Sequence, residues 1–215
     1  MRGAVLWDLD GTLVASEEYH WRAWRGAAAA EGIALTYQQF LETFGMKNDL
    51  ILRRWLGEDV SAARAERIAD AKEEEYRQLA RSEGLQPLPG AAEWVARLHE
   101  DGWKQAIASS APRANVEVVM EALRFDRFMN AIVAAEDTTR SKPEPDVFLE
   151  AARRVGIPTD HCIVVEDAAA GIAAARAAGM KSVGVSRHVT LPGADVFATS
   201  LQDLPSDTFT RLLRS

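Results

Sequence analysis

AVLWDLDGTLVAS, residues 4–16, begins with four consecutive apolar residues and turns acidic at once, with Asp8 and Asp10 on either side of Leu9 and Gly11 closing the run. A short, unbroken apolar run that ends in a turn signal predicts a strand buried on both faces. Strands of that kind belong to parallel sheets covered by helices on either side. The rest of the chain is consistent with that expectation. Beyond the break at Pro87 and Pro89, helical and extended patterns alternate: helices over 91–100, 115–123, 146–155 and 168–178, and strands over 105–108, 131–134, 162–165, 181–185 and 195–198, with a terminal helix last. This rhythm predicts an α/β fold with a Rossmann-like, mainly parallel sheet.

Residues 17–81 break the rhythm. Trp21, Trp24 and Ala28 recur at helical spacing, as do Ile51, Leu52, Trp55 and Leu56, and the stretch 62–79 is rich in Ala, Glu, Lys and Arg. The expected organisation is a discontinuous α/β catalytic core, about 1–15 plus 82–215, with an inserted helical cap domain over 16–81.

The 215 residues are 47% hydrophobic and 27% charged, a composition that supports a packed core without disulfide or metal staples. A net charge of −7 disfavours nucleic acid and anionic membrane surfaces as partners. The single cysteine, Cys162, leaves no partner for an internal disulfide and reads as inert core. No apolar run approaches the ~18 residues of a membrane span, and acidic residues arrive at position 8, too early for a signal-peptide core. A cytoplasmic protein is expected, and nothing demands more than a monomer.

Ligands of open α/β sheets sit beyond the carboxyl ends of the strands. Here those ends carry Asp8 and Asp10, then Ser109 and Ser110, then Ser141 and Lys142, then Glu166 and Asp167. Carboxylates sharing one crevice repel one another unless a divalent cation neutralises them, and an oxygen-only ligand set suits Mg²⁺. The hydroxyls of Thr12, Ser109 and Ser110 and the ammonium of Lys142 complement the oxygens of a phosphate. Together they point to phosphoryl transfer on a small-molecule phosphate ester.

DLDGTLVAS (8–16), ASS (108–110), SKPEPDVF (141–148) and VVEDAAAGIAAARAAG (164–179) resemble, in order and spacing, the four motifs of haloacid dehalogenase-like phosphohydrolases. The helical insert resembles the branch that holds β-phosphoglucomutase and sugar-phosphate phosphatases. That resemblance implies Asp8 as nucleophile and Asp10 as general acid and base. It also implies Mg²⁺ held by Asp8, the main-chain carbonyl of Asp10 and Asp167, with Glu166 supporting, and a transferred phosphate held by Ser109 and Lys142. In the cap it implies substrate contacts from His20, from the loop with Gly45, Lys47 and Asn48, and from Lys72.

Two positions depart from the pattern: Ala15, where an acid or amide is usual, and Asn48, where the mutase has an arginine for its second phosphate. The first removes or replaces hinge contacts made at that position, and the second puts hydrolysis ahead of mutase chemistry. Dehalogenation needs neither Mg²⁺ nor a second acid, and a persistent phospho-aspartate switch is at odds with Asp10 beside the nucleophile.

Overall fold

The structure is a computed structural model and describes residues 2–214. Six parallel strands, β1 (Ala4–Trp7), β2 (Lys104–Ala108), β3 (Ala131–Val133), β4 (Cys162–Glu166), β5 (Lys181–Val185) and β6 (Val196–Ala198), form one sheet in the order β3-β2-β1-β4-β5-β6. The strand order reverses at β1, which is flanked by β2 and β4. The crevice of a doubly wound sheet opens at such a switch point, above the carboxyl ends of these three strands.

The all-apolar reading of β1 has a direct cause. Val5 and Trp7 pack into the core cluster on one face of the sheet, while Ala4 and Leu6 pack into the cluster on the other. The first cluster is covered by α5 (Ala91–Glu100), α6 (Arg113–Leu123) and α9 (Thr208–Leu212), the second by α7 (Asp146–Val155) and α8 (Ala169–Ala177). Trp7 satisfies its indole N–H by donating to Gln105 Oε1 (3.0 Å), and Gln105 in turn donates to the carbonyl of Val95 (2.9 Å). A buried amide on a central strand is tolerated because its polar groups are paired.

Four helices lie between β1 and α5: α1 (Glu17–Ala30), α2 (Tyr37–Leu41), α3 (Asn48–Leu56) and α4 (Ala62–Glu83). They have an apolar centre of their own, built on Trp24, Phe40, Ile51, Leu52 and Ile68. Ser61 caps α4 by accepting from the Arg64 amide, and Thr36 and Gln39 form a reciprocal capping box on α2. The connections into and out of this helical unit run side by side: Ala15 N–H donates to Gln86 O (3.1 Å), Leu88 N–H to Leu13 O (2.9 Å), and Val14 bridges Pro87. Among the described residues no helix is long and apolar enough to cross a membrane. Cys162 is buried, donates weakly to Pro158 O, and burial pushes its thiol up to about 12, so it is unreactive.

Candidate active site

Beyond the carboxyl ends of β1, β2 and β4, and beneath the helical unit, lies a cavity of about 70 Å³. Its floor is the acidic tip of β1. Asp8 still holds the sheet pattern, its N–H donating to Val165 O (2.9 Å), and the turn that follows closes when Leu13 and Val14 both donate to Leu9 O. Gly11 sits at φ +84°, and a Cβ there would run into the Asp167 carboxylate. Glycine is therefore required twice over, for its backbone angle and for the close approach.

Asp8, Glu166 and Asp167 bring carboxylate oxygens within 4.8 Å of one another. One ammonium stands among them: Lys142 Nζ donates to Asp8 Oδ1 (2.5 Å) and Glu166 Oε1 (2.6 Å). Glu166 is held further by the Ala168 amide, which donates to Oε2 (2.8 Å), and by the bare Gly171, where a Cβ would overlap the Glu166 side chain. Burial raises the Asp8 carboxyl, Lys142 lowers it and Glu166 raises it again, leaving it at about 7. Asp167 is pushed well above the usual carboxylate range by burial and then by the charges of Glu166 and Asp8. For Lys142 the penalty of burial is outweighed by the same acids, which hold it protonated. One ammonium does not balance three crowded carboxylates, two of them buried, so the cluster suits a hard divalent cation bound through oxygen.

Asp10 has different partners. Ser16 Oγ donates to its Oδ1 (2.6 Å), His20 Nε2 lies 3.1 Å from the same oxygen, and the His20 ring stacks on Tyr76 at 4.0 Å between centroids. Burial raises the Asp10 carboxyl, but the contacts with His20 and Ser16 prevail and hold it below its ordinary value. Two carboxylates two residues apart thus sit in opposed environments, Asp8 raised by burial and Asp10 lowered by its contacts.

Most of the residues predicted from sequence line this cavity: Asp8, Asp10, His20, Gly45, Asn48, Lys72, Ser109, Ser110, Lys142, Glu166 and Asp167. Two do not. Thr12, read as a phosphate-binding hydroxyl, is fully buried with its Oγ1 unpartnered and lines a different cavity, of about 320 Å³, beside the paired connections. The tight turn after Asp10 carries its side chain away from the crevice. Lys47, read as a substrate contact, instead donates to the carbonyls of Ala135 and Thr138 (3.1 Å each) and ties the helical unit to the α/β layer. Ala15 brings no polar side chain to the site, and its neighbour Ser16 donates to Asp10.

Glu73 and Asn115 were not foreseen. Glu73 is only 5% exposed, lines the cavity, and accepts from Lys72, Asn48 and Asn115. Its place in the run KEEEY reads as a solvated helix face; the pertinent signal is the apolar stripe Ile68, Tyr76 and Ala80, which puts this end of α4 against the core.

The chain is similar to known enzymes in sequence and in backbone. The chain is 31% identical over 209 residues to β-phosphoglucomutase of Bacillus subtilis, covering 94% of this chain and 91% of that one. It is 30% identical over 181 residues to fructose-1-phosphate phosphatase YqaB of Escherichia coli, covering 84% and 95%. Its backbone matches the crystal structure of CbbY from Rhodobacter sphaeroides in complex with xylulose-(1,5)bisphosphate, with a TM-score of 0.85, 27% identity and 95% and 96% coverage. The model of haloacid dehalogenase-like hydrolases matches residues 3–179, the span that holds every strand-end carboxylate of the cavity, and the chain belongs to that family of enzymes.

Proposed function

We propose that this enzyme is a Mg²⁺-dependent phosphatase of small phosphorylated metabolites, sugar phosphates foremost, working through an aspartyl-phosphate on Asp8. The observation that carries the reading is the split at one strand tip: Asp8 faces Lys142 in the acidic corner, while Asp10 faces Ser16 and His20 on the cap side. Asp8, Asp167, the Asp10 main-chain carbonyl and, in support, Glu166 would hold the cation, which masks charge so that one anion can approach another. Ser109 and Lys142 hold the transferred phosphate.

An Asp8 carboxylate oxygen attacks phosphorus, the ester P–O bond breaks, and the departing alkoxide takes a proton from Asp10. Asp10 then takes a proton from water, the resulting hydroxide attacks phosphorus, and cleavage of the acyl-phosphate P–O bond restores Asp8 and releases inorganic phosphate. Asp10 must carry a proton for the first step, and the charge of an arriving phosphate favours that form. Ser16 and His20 keep it aimed at the leaving oxygen.

The cavity is far smaller than the ~300 Å³ at which small-molecule pockets begin. Substrate therefore enters with the cap, residues 16–81, swung away about the paired connections near Val14 and Pro87, and closure excludes water.

A mutase reading is favoured by the Glu18-Tyr19-His20 segment and by Lys72, and is opposed by Asn48, which carries no charge for a second phosphate. Incubation with Mg²⁺ and a panel of sugar phosphates, including β-glucose 1-phosphate with a trace of its bisphosphate, separates the two. We expect inorganic phosphate in stoichiometric yield; glucose 6-phosphate without free phosphate would make the enzyme a mutase. Metal binding has its own readout. Mg²⁺ at 100 times its dissociation constant is expected to stabilise the protein by about 2.7 kcal/mol, seen as a rise in melting temperature that chelator reverses. An unchanged melting temperature would remove the cation from the Asp8, Glu166 and Asp167 cluster.

A further inference from the structure

The cap wall of the cavity has carboxylate, ammonium and amide side chains but no cation without a partner at hand. Among the described residues only two lysines line the cavity, and Lys142 belongs to the carboxylate corner. Lys72 Nζ lies 2.9 Å from Glu73 Oε1 and over the faces of Trp24 and Tyr76, at 5.2 and 5.6 Å from the ring centroids. Lys47 is turned out onto the carbonyls of Ala135 and Thr138. Arg77, on the same helix, donates to Asn115 Oδ1 (3.1 Å) and Glu74 Oε2 (2.8 Å). Every basic side chain near this wall already has an acceptor.

Glu73 occupies the centre of the wall. Asn48 donates to its Oε1 (2.7 Å), as does Lys72, and Asn115 reaches across from α6 to donate to Oε2 (2.5 Å). A carboxylate offers about four lone-pair sites, so this set leaves room for one further donor. A substrate hydroxyl supplies such a donor; a phosphate or carboxylate supplies only more acceptors and a like charge. Lys72 at 2.9 Å offsets part of the Glu73 charge, and because Glu73 is buried, salt does little to screen what remains.

We infer that Glu73 is a specificity-determining residue that selects phosphate monoesters whose remaining part is a neutral polyol or sugar, and rejects esters with a second phosphate or a carboxylate. The inference rests on the phosphatase reading for the first phosphate, and concerns only what lies at the other end of the substrate. It sets this chain apart from a relative such as CbbY, whose structure holds a bisphosphate.

The test uses fructose 1-phosphate, fructose 1,6-bisphosphate and 2-phosphoglycolate with Mg²⁺. Their kcat/KM values are measured on the wild type and Glu73→Gln, and their affinities by calorimetry on the same two proteins carrying Asp8→Asn. The wild type is expected to prefer the monophosphate about 100-fold or more over both doubly anionic compounds, and Glu73→Gln to narrow that ratio about 10-fold, since a like charge across a desolvated contact is a strong element of discrimination. Equal use of the bisphosphate by the wild type overturns the inference without any variant. A ratio that stays fixed in Glu73→Gln, all three substrates falling together, overturns it as well and leaves Glu73 a packing residue. If no ester is hydrolysed but the affinities keep the expected ratio, the phosphatase reading falls and the selectivity stands.

Discussion

Asp8→Asn is expected to lower phosphate release by about 10⁴-fold or more, because the amide is isosteric with the carboxylate but cannot attack phosphorus, and groups acting as a unit in covalent catalysis fail together. The substitution is also expected to leave the fold intact. It removes one of three crowded acids, and Lys142 keeps Glu166 as a partner at 2.6 Å. Without metal the melting temperature should therefore match or exceed that of the wild type. Phosphate release measured beside a thermal melt checks both halves. Wild-type release from a folded variant would mean that Asp8 is not the nucleophile and that water attacks the ester directly.

Lys142→Met is the second large effect. The methionine is close to lysine in length and apolar throughout, and it deletes the ammonium that lies over the Phe148 ring and bridges Asp8 and Glu166. Leaving a buried charge without its partner costs about 3–5 kcal/mol. For a chain of this length that is a fall of roughly 6–20 °C in melting temperature, measured in chelator. Mg²⁺ should restore part of the loss, since it neutralises the same carboxylates. Activity should fall about 10²- to 10³-fold even at saturating Mg²⁺, because the charge that stabilises the transferring phosphate is gone. A melting temperature in chelator equal to that of the wild type would show that the acids are neutral there and need no counter-ion.

The α/β alternation was legible because the central strands β1 and β4 are buried along their whole length and read as apolar runs, and because the acids at positions 8, 10, 166 and 167 lie at the ends of those runs. Side-chain direction was not legible. Thr12 and Ser109 are both hydroxyls beside strand tips, yet one points into the crevice and the other away from it, a difference set by the turn that Leu9 and Val14 close. Lys47 has a stem long enough to reach either the cavity or the carbonyls of Ala135 and Thr138, and spacing along the chain does not choose between them. Glu73 was hidden among neighbours of the same charge. One of its partners, Asn115, is 42 residues away, and local pattern does not carry contacts of that range.

The central place of β1 bears on how the molecule comes into being. This strand precedes both of its neighbours in the chain, which begin at Lys104 and Cys162, so both of its edges stay open while the 96 residues between Trp7 and Lys104 are made. At roughly 5–20 residues per second, that leaves an apolar strand unpaired for several seconds or more. The helical segment emerges in that interval with an apolar centre of its own and can fold ahead of the sheet. The helical segment can thus form before the framework that receives it, and the tip of β1 gains its acidic surroundings only when Glu166 and Asp167 arrive.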